Sequence, residues 1–156
     1  MRKLFDRALS YLLVILTIVM VSSTLLQVVA RYIDLNVQFT EELTIYAMMW
    51  LAIFGSAYAF GLKKHIAIDL LSSSLDDSSK WKHSILVELV ISVFAILVLI
   101  IGGIRLVYIT FKLGQVSSIM QVPKGWIYLS LPISGIFILC YNALNILDTL
   151  KKRNNR

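Results

Sequence analysis

Cysteine is nearly missing from this sequence: Cys140 stands alone among 156 residues. A lone cysteine excludes an internal disulfide and any redox mechanism built on a cysteine pair. It lies inside an apolar stretch, where a thiol acts as a small buried hydrophobe. Histidine occurs only at His65 and His83. Neither falls in the middle of a long apolar run, so a haem held between two helices by histidines is excluded. HExxH, GxSxG and the glycine-rich phosphate loop are also missing. No carboxylate stands near the centre of any long apolar run, where a proton- or ion-coupled carrier working alone needs one. No internal repeat or broken helix pair marks a substrate site either. The expectation is a non-enzyme with no cofactor, no catalytic residue and no metal site.

What the chain does have is apolar length. The hydrophobic set makes up 58% of the residues, against about 45–50% in soluble domains. A water-soluble core of this size has no room for that excess. Mean hydropathy is +0.81. The net charge of +6 does not point to nucleic acid, because no basic stripe is interleaved with aromatics. The basic residues instead flank the apolar runs, as in membrane proteins.

Four apolar runs are long enough to cross the hydrocarbon layer of roughly 30 Å. They cover residues 9–30, 41–61, 84–111 and 126–147, followed by a basic tail over 148–156. The expected fold is therefore an all-α integral membrane protein, one domain over 1–156. The first run is longer than the core of a cleavable signal, about 7–15 residues, so it reads as a retained membrane helix. Thr40 before Glu41 and Glu42 reads as the N-cap of the second helix. The stretch 62–82 mixes Ile66, Ile68, Leu70 and Leu71 with aspartates and serines. That mix fits a segment at the membrane surface, helical in part, although the alternation at Ile66-Ala67-Ile68 also fits a strand-like start.

Of the 15 basic residues, Arg31, Arg105, Lys112 and Lys124 fall toward one side, and the remaining eleven collect at the N-terminus, in the 62–82 stretch and in the tail. The Lys/Arg-rich side is cytoplasmic. Both termini are thus expected in the cytoplasm.

Several residues stand out as structural or partner-interface candidates. Arg31, Glu41, Glu42 and Arg105 are expected to form a charge cluster at the outer leaflet, with snorkelling to the surface the alternative for Arg105. Glu42, Tyr46 and Trp50 recur at four-residue spacing and share a helix face. Trp50, in mid-span, is either lipid-facing or packed on a partner. Gly55 and Ala59 have the spacing of small residues where membrane helices approach closely, and Gly102-Gly103 offers a similar patch. Glu88 sits near the cytoplasmic start of the third helix, either stabilised by the helix dipole or contacting a partner. Tyr128 belongs to the interfacial aromatic belt, and Pro132 lies early in the fourth helix.

The order of certain short strings carries more. Phe39-Thr40-Glu41-Glu42-Leu43 is followed by Trp50 and Phe54-Gly55-Ser56-Ala57-Tyr58-Ala59. Next come Lys64-His65-Ile66-Ala67-Ile68-Asp69, Trp126-Ile127-Tyr128-Leu129 and Leu131-Pro132-Ile133-Ser134-Gly135. This set resembles the small membrane subunit, DctQ type, of tripartite ATP-independent periplasmic (TRAP) transporters. One local departure is that Gly61 is followed by Leu62-Lys63-Lys64 where a glycine nearer the histidine is expected. The resemblance implies a large polytopic membrane subunit (DctM type) and a periplasmic substrate-binding protein as partners, alongside membrane lipids. It implies sodium-driven import of an organic acid such as a C4-dicarboxylate or sialic acid, with this chain as scaffold. His65 and Asp69, four apart, would then fix the inner loop against the membrane or the large subunit. The competing readings are a self-sufficient four-helix homodimeric exporter and a membrane redox subunit.

Overall fold

The computed structural model describes the backbone of residues 2–62 and 77–154, and side chains over 4–62 and 85–147. His65 and Asp69, and most of the expected surface segment, lie outside the described residues. The elements are α1 (Arg2–Tyr32), α2 (Phe39–Gly61), α3 (Asp77–Phe94), a π-helical segment (Ala95–Gly102), α4 (Gly103–Lys112), α5 (Lys124–Tyr128) and α6 (Ser130–Asn154). α3, the π segment and α4 form one continuous third span. Four helical stretches are long and apolar enough to cross a membrane: Leu4–Tyr32, Phe39–Gly61, Ile85–Lys112 and Lys124–Leu147. The all-α, four-span class expected from the sequence is the one found.

α3 begins at Asp77, earlier than the membrane entry expected near residue 84. The added stretch is polar in sequence, so its backbone can stay helical while projecting beyond the apolar layer. α6 likewise runs on to Asn154, through the basic tail.

Thr40 is not an N-cap. Gln38 occupies that position without a side-chain cap bond. Thr40 is 1% exposed and donates its hydroxyl to the Val37 carbonyl at 2.7 Å. A buried hydroxyl that donates to a carbonyl is turned away from the amides a cap would accept from.

The packing order is not the chain order. The first span packs on the second, the second on the fourth, and the fourth on the third. Burial follows from this: 44% of the fourth span's most apolar window is buried, against 6% for the first and 11% for the third. The core joins Leu9, Phe54, Ala57, Phe60, Ala95, Ile138 and Tyr141. The fourth span presents Ser130, Ser134, Ile138, Tyr141, Asn142 and Asn145 to it, all buried and spaced to share one helix face.

Close approach between the third and fourth spans depends on three glycines, of which Gly125 has no room for a Cβ beside the Phe111 ring. A Cβ on Gly103 would lie 2.9 Å from Pro132 Cδ and 3.0 Å from Leu131 Cβ. One on Gly135 would lie 2.9 Å from Ile100 Cγ1. Gly102 meets only the Leu97 carbonyl, at 3.5 Å, and is exposed. Gly103→Leu should therefore destabilise the bundle by about 1–3 kcal/mol through overpacking, while Gly102→Leu should leave it nearly unchanged. Thermal unfolding of the two variants in the same detergent checks this; equal losses would remove the close contact at Gly103.

Pro132 also divides the fourth span. It has no N–H to donate to the carbonyl of residue 128, and its ring crowds that carbonyl. The helix breaks at Leu129 between α5 and α6. The Ile127 carbonyl beside the break accepts the Trp50 indole N–H at 2.9 Å and the Ser130 hydroxyl at 3.1 Å.

Candidate functional site

The two ends of the bundle are built differently. At one end lie the 33–38 and 113–123 connections. After α4 the chain passes Gly114 at φ +59°, a left-handed turn that favours glycine. It then folds into a small hairpin. Ser117 N–H donates to the Val122 carbonyl and Lys124 N–H to the Gln115 carbonyl, both at 2.9 Å. The tip of that hairpin turns three consecutive backbone N–H groups toward α2. Glu42 accepts all three: Ser118 N–H on Oε1 at 2.9 Å, Ile119 N–H on Oε1 at 3.1 Å and Met120 N–H on Oε2 at 2.9 Å. Successive amides around one carboxylate form a nest of fixed partial positive charge, and these bonds are charge-assisted. The Ser117 hydroxyl accepts the Val122 N–H at 3.3 Å.

The four charged residues expected together at this end are therefore divided. Glu42 is taken by the 118–120 backbone. Arg31 and Glu41 line one cavity of about 210 Å³ with Gln27 and Asn36. Arg105 is exposed on α4, outside that cavity. Gln27, which the sequence did not single out, ties α1 to α2. Its side-chain N–H groups donate to the Thr40 carbonyl at 2.8 Å and to Thr44 Oγ1 at 2.9 Å.

Trp50 is packed within the chain. Besides its bond to the fourth span, its ring lies 5.5 Å from that of Phe54. Tyr46 is half-buried on the same helix, as is Tyr128 next to the helix break. Gly55 is not a tight contact within this chain, since its Cβ would meet only Leu13 Cδ2 at 3.9 Å. Ala59 is exposed. The buried small residues of α2 are instead Ala47, Ala57 and Gly61.

At the opposite end, Tyr141 is the central residue. Its hydroxyl donates to Asp6 Oδ1 at 2.7 Å, joining the fourth span to the start of the first. A Cβ on Gly61 would lie 2.6 Å from the Tyr141 ring, so α2 ends against the face of that ring. Phe5 packs edge-on to both Phe137 and Tyr141. Nearby, the Asn142 amide donates to the Glu88 backbone carbonyl and to Ser92 Oγ. Glu88, half-buried, is thus placed against the fourth span through its backbone.

Sequence reading missed Asp6, Gln27, Tyr141, Asn142 and Asn145. The asparagines gave a signal: polar amides are rare inside apolar spans and hydrogen-bond across helices. Gln27 is one polar residue among several hydroxyls in the first apolar run, and nothing in the one-dimensional pattern pairs Asp6 with Tyr141.

Among the described residues, no group of three His, Cys, Asp or Glu side chains is placed to hold a metal. Glu42, Gln27, Trp50, Tyr141 and Asn142 each join helices or loops. Such an arrangement makes a framework.

Comparison with known proteins agrees with that character. Residues 20–152 match the family model described as the DctQ component of tripartite ATP-independent periplasmic transporters. A Rhodobacter capsulatus relative named C4-dicarboxylate TRAP transporter small permease protein DctQ is 27% identical over 112 residues, covering 72% of this chain and 48% of the relative. The chain thus spans about half the length of that relative. A Haemophilus influenzae protein assigned as a TRAP transporter small permease is 23% identical over 146 residues, covering 93% of this chain and 89% of the relative. A second from the same organism is 23% identical over 146 residues, with 91% and 87% covered. The match over most of the chain, on a four-span helical framework, identifies a transporter component rather than an enzyme, and the chain belongs to the DctQ family of TRAP transporter small permease subunits.

Proposed function

We propose that this chain is the scaffold subunit of a sodium-coupled importer for an organic acid, a C4-dicarboxylate or a sialic acid. It joins and stabilises a large membrane subunit, and a periplasmic binding protein delivers the substrate. The chain sits in the bacterial inner membrane with both termini in the cytoplasm. The large subunit holds the sodium and substrate sites, and this chain widens the fixed frame against which its transport domain moves.

The observation that carries the reading is the family match combined with where the polar groups go. Asp6, Gln27, Glu42 and Asn142 are each engaged inside the chain. The outer spans, first and third, expose apolar side chains such as Ile15, Ile18, Leu97 and Ile101. A frame that holds itself together and offers apolar flanks suits a subunit that packs on another membrane protein. Orientation is supported by the basic residues: only Arg31, Arg105, Lys112 and Lys124 of the 15 lie toward the end that carries the Glu42 clamp.

Gly55→Leu separates fold from assembly. Within the chain there is room beside Gly55, so the variant should insert and fold. If the face carrying half-buried Gly55 and exposed Ala59 meets the large subunit, its yield in complex should fall several-fold. Unchanged yield would move the interface to another face. Reconstitution tests the function itself. Sodium-driven uptake is expected only when both membrane subunits and the binding protein are present, and uptake by this chain alone would overturn the proposal.

A further inference from the structure

Arg31 lies where two cavities meet. One, about 210 Å³, is lined by Arg31, Glu41, Gln27, Asn36 and the 35–38 backbone. The other, about 350 Å³, shares Gln27 and Arg31 and continues along α1 past Val28 and Thr24, beside Tyr32. Arg31 and Glu41 carry opposite charges on one cavity, yet no ion pair joins them. An exposed pair of this kind gains little by closing, so both remain available to a ligand. The walls are fixed before any ligand arrives. Gln27 is held by Thr40 and Thr44, and Leu35 N–H donates to the Ala30 carbonyl at 2.9 Å. Water occupies roughly 30 Å³ per molecule, so the cavity has room for a headgroup rather than a single ion. Below it, Val21, Leu25 and Val28 are exposed along the same side of α1, an apolar track at the end of a membrane span.

We propose that this paired cavity binds the headgroup of a zwitterionic phospholipid. The phosphodiester lies on the Arg31 guanidinium, the ammonium on the Glu41 carboxylate, and an acyl chain along the α1 track. A free anion would be drawn to Arg31 but repelled by Glu41, and a cation the reverse. Only a ligand carrying both charges satisfies the cavity, and only an amphiphile uses the apolar track below it.

The test uses the full chain, stripped of lipid in mild detergent and reloaded with phosphatidylethanolamine, phosphatidylglycerol or diacylglycerol of matched chains. Native mass spectrometry counts the bound molecules. Wild type should retain phosphatidylethanolamine in preference to both others. Arg31→Gln should lower that occupancy about tenfold, the scale of one lost charge-assisted bond. Glu41→Gln should abolish the preference over phosphatidylglycerol while leaving phosphatidylglycerol bound. Arg31→Lys keeps the charge and should keep the lipid, which separates loss of charge from misfolding. Equal retention of diacylglycerol by wild type, displacement of the lipid by inorganic phosphate, or an Arg31→Gln variant that binds like wild type would each overturn the proposal.

Discussion

Tyr141→Ala should cost the bundle about 3–5 kcal/mol, the range for removing a large buried aromatic. Tyr141 is 1% exposed and touches three of the four spans. Its ring covers Gly61 at the end of α2, packs against Phe5 of α1, and sits on α6 itself. Its hydroxyl reaches Asp6. Truncation opens a cavity at the meeting point and leaves the Asp6 carboxylate without that donor. Tyr141→Phe separates the two contributions. It keeps the ring and loses one hydrogen bond, so its cost should be near 1–2 kcal/mol. Tyr108→Ala is the control, because Tyr108 is 63% exposed and should lose little. Unfolding of the three variants in one detergent, followed by circular dichroism, reads the order Tyr141→Ala, then Tyr141→Phe, then Tyr108→Ala. A Tyr141→Ala variant as stable as the Tyr108 control would remove Tyr141 from the centre of the bundle.

Glu42→Ala should release the 113–123 hairpin without unfolding the spans. Three consecutive N–H groups, those of Ser118, Ile119 and Met120, donate to this one carboxylate. The neighbouring acid, Glu41, lines the cavity with Arg31 instead. Hydrogen exchange at those three amides should quicken by at least about tenfold, as expected when local protection is lost. Amides of the span interiors should not change. Glu42→Gln keeps one acceptor oxygen and should fall between. Because the hairpin occupies the end assigned to the binding protein's side, transport by the reconstituted system should drop with the hairpin's order. Unaltered exchange at 118–120 in Glu42→Ala would show that the carboxylate does not hold the loop.

The four spans were legible because the bilayer imposes a one-dimensional rule: about 20 apolar residues in sequence make a helix that crosses. Membership of the family was legible for a different reason, the order of short strings from Phe39 to Gly135. What escaped was everything decided by which helix lies next to which. The packing order first–second–fourth–third is not written in spacing. Gly55 and Ala59 had the small-residue pattern but are not the tight contact within this chain; Gly61, Gly103, Gly125 and Gly135 are, and their partners Tyr141, Pro132, Phe111 and Ile100 sit on the span that faces them. Glu42 was singled out for its charge and expected to meet an arginine. Backbone amides took that place, because three successive N–H groups in a turn are already fixed around one point, whereas an exposed guanidinium gives up side-chain freedom to pair. Thr40 illustrates the local version, where a residue suited to capping is instead buried one turn inside the contact with Gln27.

The central claim is that the chain works as one subunit of a larger membrane complex. The most direct test is to tag the C-terminal tail, solubilise native membranes in mild detergent and identify by mass spectrometry what elutes with the chain. A large polytopic membrane protein in stoichiometric amount is the predicted result. Elution of the chain alone, or only with copies of itself, under conditions that preserve other membrane complexes, would contradict the claim and favour a self-sufficient four-helix exporter.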